Sequence, residues 1–215
     1  HIFKNHYTRA VFENAVAKTH PELNSLWHDF LDDRSVNMFL RFRTEYEHCE
    51  LFDVQRNDLE GVIELLAQQH YDQVLTNTQL LLRNIISPGM YKLRAFAHQQ
   101  LKNETMAIED MSMMSMLLVC IEGTGDGSQD RPYLLLYPSD QKEMLKARGL
   151  TAVSSKITTV GEGESMKYLE EVLCNEGSYI WFDITSYQKK PKPRLNPEDV
   201  AASENNTETT TQQQQ

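Results

Sequence analysis

Up to residue 121 the apolar positions recur every three or four residues, the spacing of one face of a helix. Residues 7–54 read as helices separated by turns. Thr19-His20-Pro21 marks one break, because the residue before a proline is pushed out of the helical region. Leu23, Leu26, Trp27, Phe30 and Leu31 then share a face, Asp32-Asp33-Arg34-Ser35 interrupts it, and Met38, Phe39, Phe42 and Tyr46 follow on another. Asp58 is placed to cap a helix carrying Leu59, Val62, Ile63, Leu65 and Leu66. Val74, Thr78, Leu81, Leu82, Ile85 and Ile86 predict one further helix, stopped by Ser87-Pro88-Gly89. Two more are expected over Tyr91–Leu101 and Glu104–Ile121, with Lys102-Asn103 as the turn between them.

After Gly123 the pattern changes. Gly123-Thr-Gly-Asp-Gly-Ser128 is turn chemistry, and Tyr133–Tyr137 is a short apolar run that reads as a buried strand. Pro138-Ser139-Asp140 is expected to open a helix, with Asp140 as its N-cap and Glu143 as the capping-box partner, and Gly149 to end it. Thr151–Val160 is rich in β-branched residues, and Met166–Cys174 with Tyr179–Ile184 reads as a hairpin around Asn175-Glu-Gly177. Ile180, Phe182 and Ile184 fall on one face of its last strand, and Tyr179, Trp181 and Asp183 on the other. Beyond Tyr187, Lys189–Arg194 is a basic linker, and Ala201–Gln215 offers nothing larger than alanine to bury.

The expected class is therefore α+β: a helical region over residues 1–121, packed on a small, mainly antiparallel sheet with one helix over 122–188. A disordered tail, 189–215, is expected to follow. The strand-rich part is near the size at which a core is marginal alone, so it is expected to lie against the helices.

Within the helical region, Tyr91, Ala95, His98, Ala107 and Met111 fall at the spacing of a tetratricopeptide hairpin, at about 88–118. Two small residues facing across a tight turn let the helix backbones approach. Arg94 stands where leucine is usual, and His98 where tyrosine is usual. Repeats of this kind stabilise one another by stacking, so a lone unit implies that the other helices and the sheet cap it.

Composition adds exclusions. The 215 residues carry a formal net charge of −10, with a pI of about 5.2, which disfavours nucleic acid and anionic membrane surfaces as partners. No apolar run approaches the length needed to cross a bilayer. The three cysteines, Cys49, Cys120 and Cys174, have no C-x-x-C spacing and read as small hydrophobic residues.

In the order and spacing of several short motifs the chain resembles a family of bacterial proteins known only as a domain of unknown function. The motifs are Gly125-Asp-Gly-Ser128, Tyr133-Leu-Leu-Leu-Tyr137, Arg148-Gly-Leu150, Tyr179-Ile-Trp-Phe-Asp-Ile184 and the Tyr91–Met111 hairpin. The resemblance spans roughly residues 35–187 and departs in the Met-rich fourth helix and the polar tail. It implies helices first and a small sheet last, and a periplasmic or secreted location. It implies no reaction, cofactor or catalytic residue.

Candidate chemistry is sparse. The glycine cluster precedes a strand, whereas phosphate-cradling loops follow one. Read as a calcium loop from Glu122 it puts Gly127 at the sixth position, but Tyr133 at the twelfth, where a bidentate glutamate is needed. The histidines lack metal spacing, and no cofactor is expected. Met113 and Met116 lie off the stripe of Ile108, Met111, Met114 and Leu118, so they are expected to face the C-terminal part or a partner. The leading expectation is a non-enzymatic interaction protein that binds another protein or a peptide. The alternative is a small-ligand or metal binder, or a hydrolase, using a cleft between the two parts, with Glu122, Asp126 and Asp130 near its mouth.

Overall fold

The structure, a computed structural model, describes residues 6–52 and 59–188. The Asp58 cap, the basic stretch Lys189–Arg194 and the polar tail lie outside the described residues. The fold is α+β, with helices in the N-terminal part and a four-stranded mixed sheet in the C-terminal part.

Helices α1 (His6–Val16), α2 (Pro21–Asp33) and α3 (Val36–His48) break where the turn residues fall. Pro21 starts α2, Arg34 closes it in the left-handed region (φ 54°), and the Ser35 hydroxyl caps α3 by accepting from Met38 N. Their apolar faces meet in a chain of rings: Phe12 on Trp27 (5.3 Å), Trp27 on Phe42 (5.0 Å), Phe42 on Tyr46 (5.6 Å). The chain continues through Phe52 to Tyr137, which belongs to the C-terminal part. One core therefore runs from Phe12 to Ile184, and the sheet lies against the helices. Each large side chain so buried contributes roughly 1.5–3 kcal/mol.

After α4 (Leu59–Ala67), the single helix expected across Val74–Ile86 is two short ones, α5 (Tyr71–Thr76) and α6 (Thr78–Arg83), followed by a turn. Three tyrosine hydroxyls explain why the helix can stop early. Tyr46 donates to Leu82 O, Tyr137 to Arg83 O and Tyr91 to Ile85 O, so buried carbonyls released at the helix end keep partners. Ser87-Pro88-Gly89 begins α7 (Pro88–Gln100) rather than ending the element before it, with Ser87 Oγ accepting from Met90 N and proline at the first helical position. Helix α8 (Glu104–Glu122) follows the expected turn at Lys102-Asn103, and Ala95 and Ala107 are buried.

In the C-terminal part, β1 is only Tyr133–Leu134, although Leu135, Leu136 and Tyr137 are buried beyond it. Helix α9 (Pro138–Ala147) opens at the expected Pro138-Ser139-Asp140, but its N-cap is Tyr137 rather than Asp140. Proline presets the first turn, and Asp140 takes the third helical position, its Oδ2 accepting from Leu136 N (3.1 Å) and Tyr137 N (3.0 Å). Gly149 (φ 70°) ends it, with Leu150 N donating to Leu145 O. Then come β2 (Ala152–Val160), β3 (Lys167–Cys174), β4 (Tyr179–Asp183) and the short α10 (Thr185–Gln188). The sheet order is β1-β4-β3-β2, parallel between β1 and β4 and antiparallel elsewhere. Ile180 and Phe182 point into the core beside Val172 and Cys174.

Candidate functional site

The glycine loop is held from every side by its own neighbours. Asp126 N and Gly127 N donate to Arg131 O, Asp126 Oδ1 accepts from Ser128 N, and Gly127 O accepts from Trp181 N of β4. A Cβ on Gly125 would lie 2.4 Å from the carbonyl oxygens of Arg131 and Pro132. One on Gly127 (φ 78°) would lie 2.7 Å from the Tyr133 ring. The glycines thus let the loop lie flat on the strand it feeds.

The three candidate acids do not converge on a ligand. Glu122 pairs with Arg148, whose guanidinium also donates to the Tyr133 hydroxyl and stacks over that ring at 4.9 Å. Asp126 faces Arg131 at 3.5 Å. Its bonds from Ser128 hold its carboxyl below the ordinary range. Asp130 is exposed. Tyr133, the twelfth position of the calcium-loop reading, is a buried ring engaged by Arg148. Among the described residues no group of His, Cys, Asp or Glu is arranged to hold a metal ion. Clefts of about 750, 390 and 550 Å³ lie elsewhere, and none is lined by Glu122, Asp126 or Asp130.

The expected stripe of α8 is split: Met114 and Leu118 are half-buried against the core, while Ile108 and Met111 are exposed. Met113 is buried with Asp110, Leu117, Cys120 and Ile121, and Met116 is half-buried against the same core. Ile108 (53% exposed), Met111 and Val119 (64%) face outward instead. The reason is that α8 turns its small and polar positions, Ala107 and Asp110, toward α7, where close approach and a buried arginine need them. The 750 Å³ cleft lies on the outward side, lined by Gln99, Lys102, Glu104, Ile108, Met111 and Ser115 among others.

Between α7 and α8 lies a charged cluster that was legible in the sequence only in part. Arg94 Nε lies 3.2 Å from Asp110 Oδ2, and His98 Nε2 is 3.6 Å from the same oxygen; all three side chains are buried. Burial raises the Asp110 pKa to about 6, against the pull of Arg94. Burial and Arg94 lower that of His98 to about 4, so the imidazole is neutral at pH 7. A positive residue at the contact face of a hairpin was the signal for this cluster. Its answering acid, sixteen residues on, had none.

Arg43 was also overlooked, although it interrupts the apolar face of Phe39, Phe42 and Tyr46. It donates from Nη1 to Leu134 O (2.7 Å) and from Nη2 to Leu135 O (2.9 Å) and Ser186 Oγ (3.0 Å), tying α3 to the sheet. Asp183 is likewise structural, accepting from Thr185 N and Oγ1. Arg43, Arg94 and Asp110 thus join element to element, whereas Asp140 and Asp183 bond to their own chain neighbours. Cys49 lines the 550 Å³ cleft with His20, His48, Glu45 and Glu50, and burial raises its thiol pKa, which leaves it a poor nucleophile. Compared with known protein families, curated proteins and solved structures, the chain matches none of them.

Proposed function

We propose that this chain is a non-enzymatic interaction protein that binds an amphipathic helix or peptide of a partner on the outer face of α8. The observation that carries this reading is the apolar outward stripe beside the 750 Å³ cleft. Ile108, Met111 and Val119 flank the small Ser112 and Ser115, so the face is apolar at its margins and shallow at its centre. A helix laid into such a trough buries apolar surface with little backbone distortion on either side. The tetratricopeptide-like spacing of α7 and α8 supports the same role, since those hairpins expose faces meant for a further element. A periplasmic or secreted setting, implied by the family resemblance, belongs to the same proposal. A small-ligand or metal site at 123–130 has less support, because Glu122 and Asp126 already face Arg148 and Arg131.

The test is selection of helical and extended peptides against the purified chain, then measurement of their affinity for Ile108→Glu and Val119→Glu. Both positions are exposed, so the variants should melt where the wild type does. Selected helical peptides are expected to bind at least roughly tenfold more weakly to either variant. Peptides indifferent to both substitutions, or no selected peptide at all, would defeat the reading.

A further inference from the structure

The sheet has two edges, and they are finished differently. At the β1 edge the strand is two residues long, and Arg43 occupies the carbonyls of Leu134 and Leu135. At the other edge β2 runs for nine residues, and none of them is buried. No hydrogen bond among the described residues reaches its outer side. Val153 (64%), Ile157 (48%) and Val160 (45%) are exposed along it. Proteins usually protect such an edge with proline, several charges or a very short strand. Here there is no proline, no acid, a single lysine at the centre and a bulge only at the Val153 end.

We infer that β2 pairs antiparallel with β2 of a second copy of this chain, joining two four-stranded sheets into one across a two-fold axis. This surface is separate from α8, and the inference goes beyond the proposed function. A foreign strand is recognised through side-chain pockets beside the edge, and none of the three clefts described above includes a residue of β2. A second β2 needs no pocket, because each strand gives the other its β-branched cover. Centred on Ile157, the register sets Ile157 against its copy, Ser155 against Thr159, Lys156 against Thr158 and Ser154 against Val160. The lysines then lie diagonally instead of opposite each other. Each is already across from Glu171 of its own β3, so charge at the joint is balanced on that face.

The experiment is sedimentation equilibrium of the full chain from low to high micromolar, with hydrogen exchange of residues 154–160 in parallel. A concentration-dependent dimer is expected, in which the β2 amides pointing away from β3 become protected. Ile157→Lys sets two like charges opposite each other and is expected to weaken the dimer at least roughly tenfold, with the fold unchanged. Ile157→Cys, with Cys49→Ser, is expected to cross-link through the new thiol under mild oxidation, which fixes the register. A monomer across the range overturns the proposal, including one whose outer β2 amides are protected, because another segment then covers the edge. A dimer untouched by Ile157→Lys, or one lost in Ile108→Glu instead, overturns it as well.

Discussion

Arg94 and Asp110 meet at 3.2 Å inside the contact between α7 and α8, where both side chains are buried. A buried ion pair is weak evidence of stability in itself, because removing two charges from water offsets most of their attraction. It does make each partner dependent on the other. Arg94→Leu is expected to cost about 3–5 kcal/mol in urea denaturation, since Asp110 is left buried without its cation. Arg94→Leu with Asp110→Leu should recover most of that loss. Additive losses from the two single replacements would show that the pair does not act as a unit.

The same cluster sets a pH dependence with two opposed parts. His98 falls from its ordinary 6.5 to about 4, so the unfolded chain takes up that proton first. Its contribution to stability is complete above pH 6.5 and is lost as pH drops toward 4. Asp110 rises from 3.8 to about 6, so its contribution is present at low pH and lost as pH climbs through 6. In the wild type the two largely offset. Measured as a difference from wild type, Asp110→Asn should gain stability as pH rises from about 4 to 6. His98→Gln should lose it from about 4 to 6.5. Two flat difference curves across pH 4–7 would refute the assignment.

The glycine loop is expected to behave as a turn. Gly125→Ala drives a Cβ into two backbone carbonyls and should cost about 1–3 kcal/mol. Asp126→Ala should keep the fold. Calcium, magnesium or phosphate should leave the melting temperature of wild type and Asp126→Ala alike. A ligand-induced rise that vanishes in Asp126→Ala would turn the loop into a binding site.

The three thiols are free, and they differ in access. Cys49 is half-buried at the end of α3, whereas Cys120 and Cys174 are buried, and burial pushes the Cys120 thiol up to about 11. An alkylating agent applied to native protein should therefore label Cys49 first, and the other two on unfolding. Mass spectrometry of the digest reads this directly. Equal labelling of Cys120 in the native state would contradict the packing of α8.

Much of the fold was legible in local chemistry. The breaks at Pro21 and Arg34-Ser35, the turn at Lys102-Asn103 and the stop at Gly149 each follow from what one residue can or cannot do with its backbone. Alternation in β4 told that Ile180 and Phe182 face the core, but not that Asp183, expected on the outer face, is buried where it accepts from Thr185. Helix starts were less legible: Pro88 opens a helix where a break was expected, because proline suits the first turn as well as it ends the last, and Asp140 stands at the third helical position instead of the cap.

By itself the sequence determined the class, helices first and a small sheet last, because this depends on residues close in the chain. Only the tertiary structure decided which face of α8 is inside, where the Val74–Ile86 segment breaks, and which sheet edge stays open. Those outcomes rest on partners far apart in sequence. Asp110 is drawn inward by Arg94, Tyr46 and Tyr137 take the carbonyls of Leu82 and Arg83, and Arg43 closes β1 while nothing among the described residues closes β2. A hydrophobic period marks which residues can be buried. The long-range polar contacts, which cannot be left unmade in a core, select among the faces that could be.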